Sequence, residues 1–284
     1  MKLIDVLSSR VEDVKKLVFQ EDTTVHEVSY LRKGDGKDIV VIPTQTNCRM
    51  GCTFCHLTGN NRPTQNLSSD QMIALIKASI RYQLPANKTL LISFMGAGEP
   101  LLNVEQVIET AKCMGDTNAM GWYDNVRFAL ATIIPSRKCF EQFKQLVGLH
   151  GLPFKLHLSL HSLDAPARKS LMPSASPILD SWNMLKEYAS DTGQPTEVHY
   201  TLIDGINDKE EDLARFEALS GRDVPIKLLR FAEKKQEPLM HGSSRTAQFT
   251  LGLEQLGYRV EVYSPPGRDI GSSCGQFIAD QYVA

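Results

Sequence analysis

From Thr89 onward the chain alternates between short apolar runs and helical stretches, and that rhythm limits the possible folds more than any other feature. Thr89–Phe94, Asn125–Thr132, Phe154–Leu160, Thr196–Ile203, Pro225–Phe231 and Arg259–Tyr263 have the length and apolar content of buried strands. Between them the spacing predicts helices over Val104–Met114, Leu179–Ser190 and Ser244–Leu256, the last stopped by Gly257. A further helix starts at Pro135, where proline is tolerated in the first turn, and another follows a cap formed by Asn207 and Glu210. Repeated β–α units of this kind predict an α/β fold with a parallel sheet. Alternation alone fits either a barrel or an open doubly wound sheet.

Upstream the pattern is less regular. Residues 8–19 have the spacing of a short amphipathic helix, and a hairpin is expected from Thr24–Leu31 and Asp38–Pro43 around Lys33-Gly-Asp-Gly36. Ser68 and Gln71 form a capping box that opens a helix to about Tyr82. The expected organisation is a helix and hairpin extension over 1–44 and a main unit over 45–284.

Unusual residues fall repeatedly just after predicted strands. Cys48-Arg-Met-Gly-Cys52-Thr-Phe-Cys55 follows one, and Met95-Gly-Ala-Gly-Glu99-Pro100 follows the next. Ser159-Leu-His161 ends another, and Asp204-Gly-Ile-Asn207-Asp208 follows its successor. Ligand sites of parallel α/β folds gather at strand carboxyl ends, so these segments are expected to share one site.

The cysteine loop suggests the chemistry. Three thiols lie within eight residues, spaced to hold three corners of a cubane iron–sulfur cluster, with no fourth cysteine nearby. Electron-transfer clusters ordinarily have four protein ligands, so three leave one iron for a ligand that is not protein. Other uses of these residues are less favoured. Cys52-Thr-Phe-Cys55-His56 matches a c-type haem attachment pattern, but that goes with export, and the chain begins Met-Lys-Leu-Ile-Asp without an apolar signal segment. Zinc held by the cysteines and His56 is chemically allowed, yet His56 directly follows a ligand and no second C-x-x-C exists. Six cysteines without a secretion signal fit a reducing, cytoplasmic setting better than disulfides.

Composition adds limits. Hydrophobic residues make up 42% of the chain, enough for a large core, and no apolar run approaches the roughly 20 residues that span a bilayer. A net charge of −2 is not the footprint of a protein held to RNA by bulk charge. Lys234-Lys235 with Arg230 could make a local phosphate contact, although so short a run is usually a solvated face.

The cysteine spacing, with Phe54 before the last thiol, resembles the radical S-adenosylmethionine (SAM) superfamily. That resemblance implies a partial (β/α)6 barrel with the short N-terminal extension, a 4Fe-4S cluster on Cys48, Cys52 and Cys55, and SAM chelating the open iron. An electron from the cluster then splits the sulfonium to a 5′-deoxyadenosyl radical, so a donor such as a flavodoxin or ferredoxin is expected. Gly98 and Glu99 match the element that holds the SAM amino group, a carboxylate accepting from an ammonium; the plain alternative is a solvated turn glutamate. Phe54, Ser159, Leu160 and His161 are implied SAM contacts.

Several blocks in order resemble the RlmN/Cfr family of RNA adenosine methyltransferases, from about Thr24 to Phe277. They are Gly51–Cys55, Met95–Asn103, Ser159–Ser162, Leu202–Asp208 and Gly267–Gln276, of which Cys274-Gly-Gln276 is the most diagnostic. In that family the cysteine matching Cys274 carries a methyl group from one SAM. A radical from a second SAM abstracts hydrogen from it, and the resulting methylene radical adds to an adenine carbon. Glu27 matches a glutamate proposed as proton acceptor. The departures are specific: Val41 stands where the family has its resolving cysteine, Phe128-Ala-Leu-Ala131 replaces a Ser/Thr stretch, and Ala232 replaces an asparagine. Tyr263-Ser-Pro-Pro266 replaces basic residues, and the family's amino-terminal helical RNA-binding domain has no counterpart. Cys113 and Cys139 fall on predicted helices as packed thiols. The expectation is methyl transfer by a cytoplasmic monomer that does not enter membranes. The acceptor is an RNA adenosine, or alternatively a small molecule or peptide modified by this or another radical reaction.

Overall fold

The computed structural model describes residues 1–116, 121–233, 240–273 and 275–282. The strands are β1 (Lys2–Ser8), β2 (Val14–Glu21), β3 (Thr24–Lys33), β4 (Lys37–Val41), β5 (Thr89–Phe94), β6 (Asn125–Thr132), β7 (Phe154–Ser159), β8 (Thr196–Leu202), β9 (Ile226–Arg230) and β10 (Val260–Tyr263). They pair in chain order as one mixed sheet, antiparallel from β1 to β4 and parallel from β4 to β10. Helices cross between the parallel strands: α1 (Ser69–Gln83), α2 (Val104–Gly115), α3 (Arg137–His150), α4 (Ala165–Leu171) with α5 (Ile178–Thr192), α6 (Glu210–Glu217) and α7 (Thr246–Gln255). The main core lies between these helices and the sheet, around Phe94, Phe128, Phe143, Phe154 and Trp182. The expected parallel α/β architecture is what the chain adopts. None of the described helices is long and apolar enough to cross a membrane.

Local signals explain most boundaries. Ser68 Oγ accepts from Gln71 N at 3.2 Å while Gln71 Oε1 accepts from Ser68 N at 2.9 Å, the reciprocal cap expected before α1. At α3 the cap is Ser136, whose hydroxyl accepts from Cys139 N at 3.4 Å, so Pro135 sits just outside the helix rather than in its first turn. Asn207 does not cap α6 either. Lys209 holds that position, and its N–H donates to Asp212 Oδ2 at 3.1 Å. Helix α4 escaped the pattern-based reading because it has only seven residues, although Asp164 accepting from Ala167 N at 2.9 Å is an ordinary helix start.

The expected helix over 8–19 is absent; the segment is the end of β1, a turn and most of β2. In Val14-Lys-Lys-Leu-Val-Phe19 both faces are apolar with a period of two, which a helix cannot exploit. Leu17 and Phe19 enter the main core, whereas Val14 and Val18 pack beneath Ile270 and Ile278 of the carboxyl-terminal tail. Burial on two sides, against a partner some 250 residues away, outweighs local amphipathicity.

That tail closes the structure. Beyond β10 the chain runs back over β1–β3: Glu12 Oε2 accepts from Gly267 N at 2.6 Å, and Asp5 Oδ2 accepts from Tyr282 Oη at 2.6 Å. Lys16, buried between the two layers, donates to the Gly271 carbonyl and pairs with Glu27. Glu27 Oε1 in turn accepts from Ile278 N at 2.8 Å and from Ala279 N. Burial pulls the Lys16 ammonium below its usual pKa, with the Glu27 charge opposing that fall. Removing one charge from such a buried pair costs about 3–5 kcal/mol because its partner is stranded. Glu27→Gln is therefore expected to lower stability on that order and to free the tail selectively. Thermal melts and hydrogen exchange over 264–282 check this, and unchanged protection there would refute the clasp.

Candidate active site

Loops at the carboxyl ends of the parallel strands, together with the tail, enclose a cavity of about 260 Å³. Cys48, Cys52 and Cys55 all line it. Their loop is shut at the base where Thr46 N donates to Gln65 O at 2.9 Å and Gln45 Nε2 to Asn66 Oδ1 at 2.8 Å. Inside it, Cys52 O accepts from Cys55 N at 3.0 Å and from Thr58 Oγ1 at 2.6 Å, and Thr53 N donates to Leu171 O of α4 at 2.9 Å. Gly51 takes a positive φ of 73° in a turn packed on Pro173. Burial pushes the Cys48 thiol up to about 12 and Cys52 well above its ordinary value, so each must lose a proton as it takes a metal.

These residues fit a multinuclear cluster. Sulfurs on one zinc ion stand roughly 3.8 Å apart. Among the described residues no trio that includes these thiols converges within 4.8 Å, which disfavours a mononuclear site. A cubane, which takes each thiolate on a different iron, does not require that convergence.

Glu99 sits beside the thiols, buried in the cavity wall. Its Oε1 accepts from Thr132 Oγ1 at 2.6 Å and Leu101 N at 3.1 Å, and its Oε2 accepts from Ile133 N at 3.2 Å. Among the described residues no cationic side chain pairs with it, and burial raises its pKa to about 7. The solvated-turn alternative fails on this burial. A carboxylate held by three donors but given no counter-charge suits an ammonium supplied by a ligand. The glycines before it have a packing reason. A Cβ on Gly96 would stand 2.6 Å from Ile42 O, and one on Gly98, at φ +109°, 2.7 Å from Thr44 Oγ1. Ala97 O accepts from both Thr44 N and Gln45 N, at 2.8 and 3.1 Å, which locks this loop to the approach of the cysteine loop.

Ser159 and His161 also line the cavity. His161 has φ +52°, uncommon for a side chain of its size, and its neighbours hold it there. Asn207 Nδ2 donates to its carbonyl at 2.5 Å, Thr201 N donates to its Nδ1 at 3.0 Å, and the Phe54 ring stands edge-on at 5.0 Å. Accepting at Nδ1 leaves the proton on Nε2. Burial, aided by His199 and Arg168, drives the ring's pKa down to about 3, so the imidazole is neutral. Leu160 is different: its side chain lies in the main core, and only its backbone serves this region, accepting from the buried Arg168.

Glu27 reaches the cavity wall but is engaged by Lys16 and the tail amides. Cys274 lies outside the described residues, as do Lys234 and Lys235. Its neighbours Ser273, Gly275 and Gln276 line the cavity, and Gly275 O accepts from His56 N in the cysteine loop at 3.0 Å. Val41 is in the wall as well, whereas Cys113 is exposed on α2 and Cys139 is buried on α3, both outside the lining. The sequence left three contributors unmarked. Thr132 was findable as the hydroxyl at the end of β6. Arg168 and Lys16 were not, because each acts on a partner set by the fold.

The sequence pattern of the Radical SAM superfamily matches residues 42–216. The chain is 30% identical over 276 residues to a "Probable dual-specificity RNA methyltransferase RlmN" of Chlorobium luteolum, spanning 94% of this chain and 74% of that one. Identity to a protein of the same description from Symbiobacterium thermophilum is 28% over 285 residues, covering 93% and 74%. In three dimensions a radical SAM methyltransferase from Sphaerobacter thermophilus superposes with a TM-score of 0.85 over 98% of this chain and 81% of its own, at 23% identity. That last likeness concerns the fold.

The raised pKa of Glu99 fixes the sign of a pH effect. Below about 7 a proton competes with an incoming ammonium, so SAM affinity should fall as pH drops through that value and level off above it. Glu99→Gln should weaken binding by about 30-fold or more and flatten this dependence. Equilibrium dialysis of the cluster-loaded protein across pH 5.5–8.5 measures both, and a pH-independent affinity in the unsubstituted chain would contradict the assignment.

Proposed function

We propose, for a chain that belongs to the radical SAM superfamily and to its RlmN/Cfr-like branch, that it transfers a methyl group to an unactivated carbon through Cys274, with an RNA adenosine as acceptor. The observation that carries this reading is the sharing of one cavity by the three thiols, Glu99, the Ser159–His161 corner and the residues flanking Cys274. The relatives' description as RNA methyltransferases supports the acceptor.

The cofactors are a 4Fe-4S cluster and SAM, which together supply a 5′-deoxyadenosyl radical when bound. Cys48, Cys52 and Cys55 would hold the cluster and leave one iron free. Glu99 would take the SAM ammonium, with Gly96 and Gly98 keeping backbone close enough for it to reach. Neutral His161 would donate from Nε2, and Phe54 would hold that ring in place. Ser159 would offer its hydroxyl from the same wall. A one-electron donor such as a flavodoxin or ferredoxin would reduce the cluster. Residues 1–44 belong to the site in this reading, since Lys16 and Glu27 anchor the tail whose Ser273, Gly275 and Gln276 line the cavity. Glu27, already committed to three partners, serves as that anchor, and acts as a proton acceptor only when the tail lifts.

Release of product follows different chemistry from the family's. Addition would leave the Cys274 sulfur bonded to the transferred methylene carbon. Release then needs a thiolate that attacks this sulfur, forming a disulfide with Cys274 while the C–S bond breaks and the carbon takes a proton to become the methyl group. Val41 cannot supply that thiolate. Among the described lining residues the only thiols are the three of the cysteine loop. We infer that an external thiol performs this step.

Intact-protein mass spectrometry should therefore find one added methyl group on Cys274 after reaction with SAM. Cys274→Ala should lose methyl transfer while still cleaving SAM. Without added thiol, a covalent adduct on Cys274 should accumulate; with dithiothreitol it should disperse. A trapped nucleotide would support RNA as acceptor, and a peptide or small-molecule fragment would move the assignment to that class. Methyl transfer surviving in Cys274→Ala would end the carrier model.

A further inference from the structure

Two residues back from Ser159 on the same face of β7 stands His157, and β8 places Glu197 and His199 beside it. All three are buried, and the site assembled above assigns none of them a ligand, His199 entering it only as a neighbour of His161. His157 Nδ1 and His199 Nε2 are 2.8 Å apart. Both point at one carboxylate oxygen, Glu197 Oε1, from 3.2 and 3.4 Å. The Lys227 ammonium also pairs with that oxygen, at 2.9 Å. The two imidazoles share a hydrogen bond, and with the carboxylate they bring three potential ligand atoms from two adjacent strands within 4.8 Å of one another; an entering ion would replace the shared proton. Around a tetrahedral zinc ion, nitrogen and oxygen ligands stand about 3.3 Å from one another. The observed separations bracket that value.

We propose that His157, Glu197 and His199 bind a divalent transition-metal ion, with zinc the best match, at a site made by residues other than the cysteine loop. Two imidazoles and a carboxylate are a donor set that such ions favour over magnesium or calcium. The flanking lysines fit this use. Lys155 pairs with Glu197 Oε2 at 2.7 Å and leaves Oε1 to the metal, as outer partners of ligating carboxylates do. Lys227 has somewhere to go: Glu261 already stands 3.3 Å from it, and the Tyr263 ring lies 5.1 Å below its ammonium. An incoming ion displaces Lys227 from Oε1 toward Glu261 and exchanges one counter-charge for another. Among the described residues three protein ligands converge, which leaves the ion an open position. His199 is itself part of the cavity wall, which makes the cavity its route of entry. The site does not depend on the methyl-transfer reading. With the ion bound, the cavity gains a Lewis-acidic point besides its cluster.

The test uses the full chain with its cluster already rebuilt, so that the three thiols are occupied. Dialysis against zinc under chelator competition, followed by metal analysis, should find one zinc per chain in addition to the cluster iron. X-ray absorption at the zinc edge should show nitrogen and oxygen neighbours without sulfur. His199→Ala and His157→Gln should each weaken zinc binding by about 100-fold or more, since each removes a ligand. Lys155→Met should cost about 10- to 100-fold, as loss of an outer partner does. Lys227→Met should tighten binding by removing the competing cation. Circular dichroism and the thermal melt report whether a variant has folded, and His157→Gln keeps a polar side chain of similar reach. Zinc affinity in His157→Gln and His199→Ala equal to that of the unsubstituted chain would overturn the proposal. So would sulfur in the zinc shell, or no zinc retained at micromolar free concentration; the cluster of charges would then be an internal ion-pair network only.

Discussion

Parallel pairing from β4 to β10 sends the carboxyl end of every one of those strands to the same rim, so the loops that follow them must open together. The cysteine loop after β4, the glycine loop after β5, Thr132 at the end of β6 and the Ser159–His161 corner after β7 meet for this reason. None of these segments has to recognise another. The sheet edges complete the enclosure: β2 and β3 on one side and β9 and β10 on the other contribute to the same cavity, and the tail spans the gap between them.

Electrostatics sort the acidic groups within that enclosure. Glu27 is neutralised by Lys16, and Glu197 faces two lysines and two histidines. Glu99 is given hydroxyl and amide donors but no cation among the described residues, and burial raises its pKa, while the partners of Glu197 hold that carboxyl well below its ordinary value. A protein tolerates an unneutralised buried carboxylate poorly unless a ligand completes it. Glu99 thus differs from the other two in lacking a counter-charge among the described residues, whereas Glu27 and Glu197 are parts of internal frameworks.

Rigidity is distributed in the same way. Asn207 spends its whole amide on the backbone around it, accepting from Ile203 N at 2.7 Å and donating to Thr201 O at 2.7 Å and His161 O at 2.5 Å. Arg168 performs the equivalent task beneath Ser159 and Leu160, and the helix that carries it also receives the cysteine loop at Leu171. One short helix thus couples two walls of the cavity. The tail, by contrast, is joined to the first strands both by polar contacts and by the packing of Ile270 and Ile278 on Val14 and Val18.

Much of this was legible along the chain. The spacing of Cys48, Cys52 and Cys55, the glycines before Glu99 and the β–α rhythm are local signals, because ligand geometry, backbone approach and strand burial each act over a few residues. The helix expected at 8–19, the cap assigned to Asn207 and the unremarked Arg168, Lys16 and His157–Glu197–His199 group share the opposite character. Lys16 is buried because a tail some 250 residues later lies over it, and His157 meets Glu197 only because β7 and β8 are neighbours. Chemistry carried by consecutive residues could be named before any fold was known. Burial, charge pairing and convergence could not, since they are properties of what lies across the sheet and follow from tertiary packing alone.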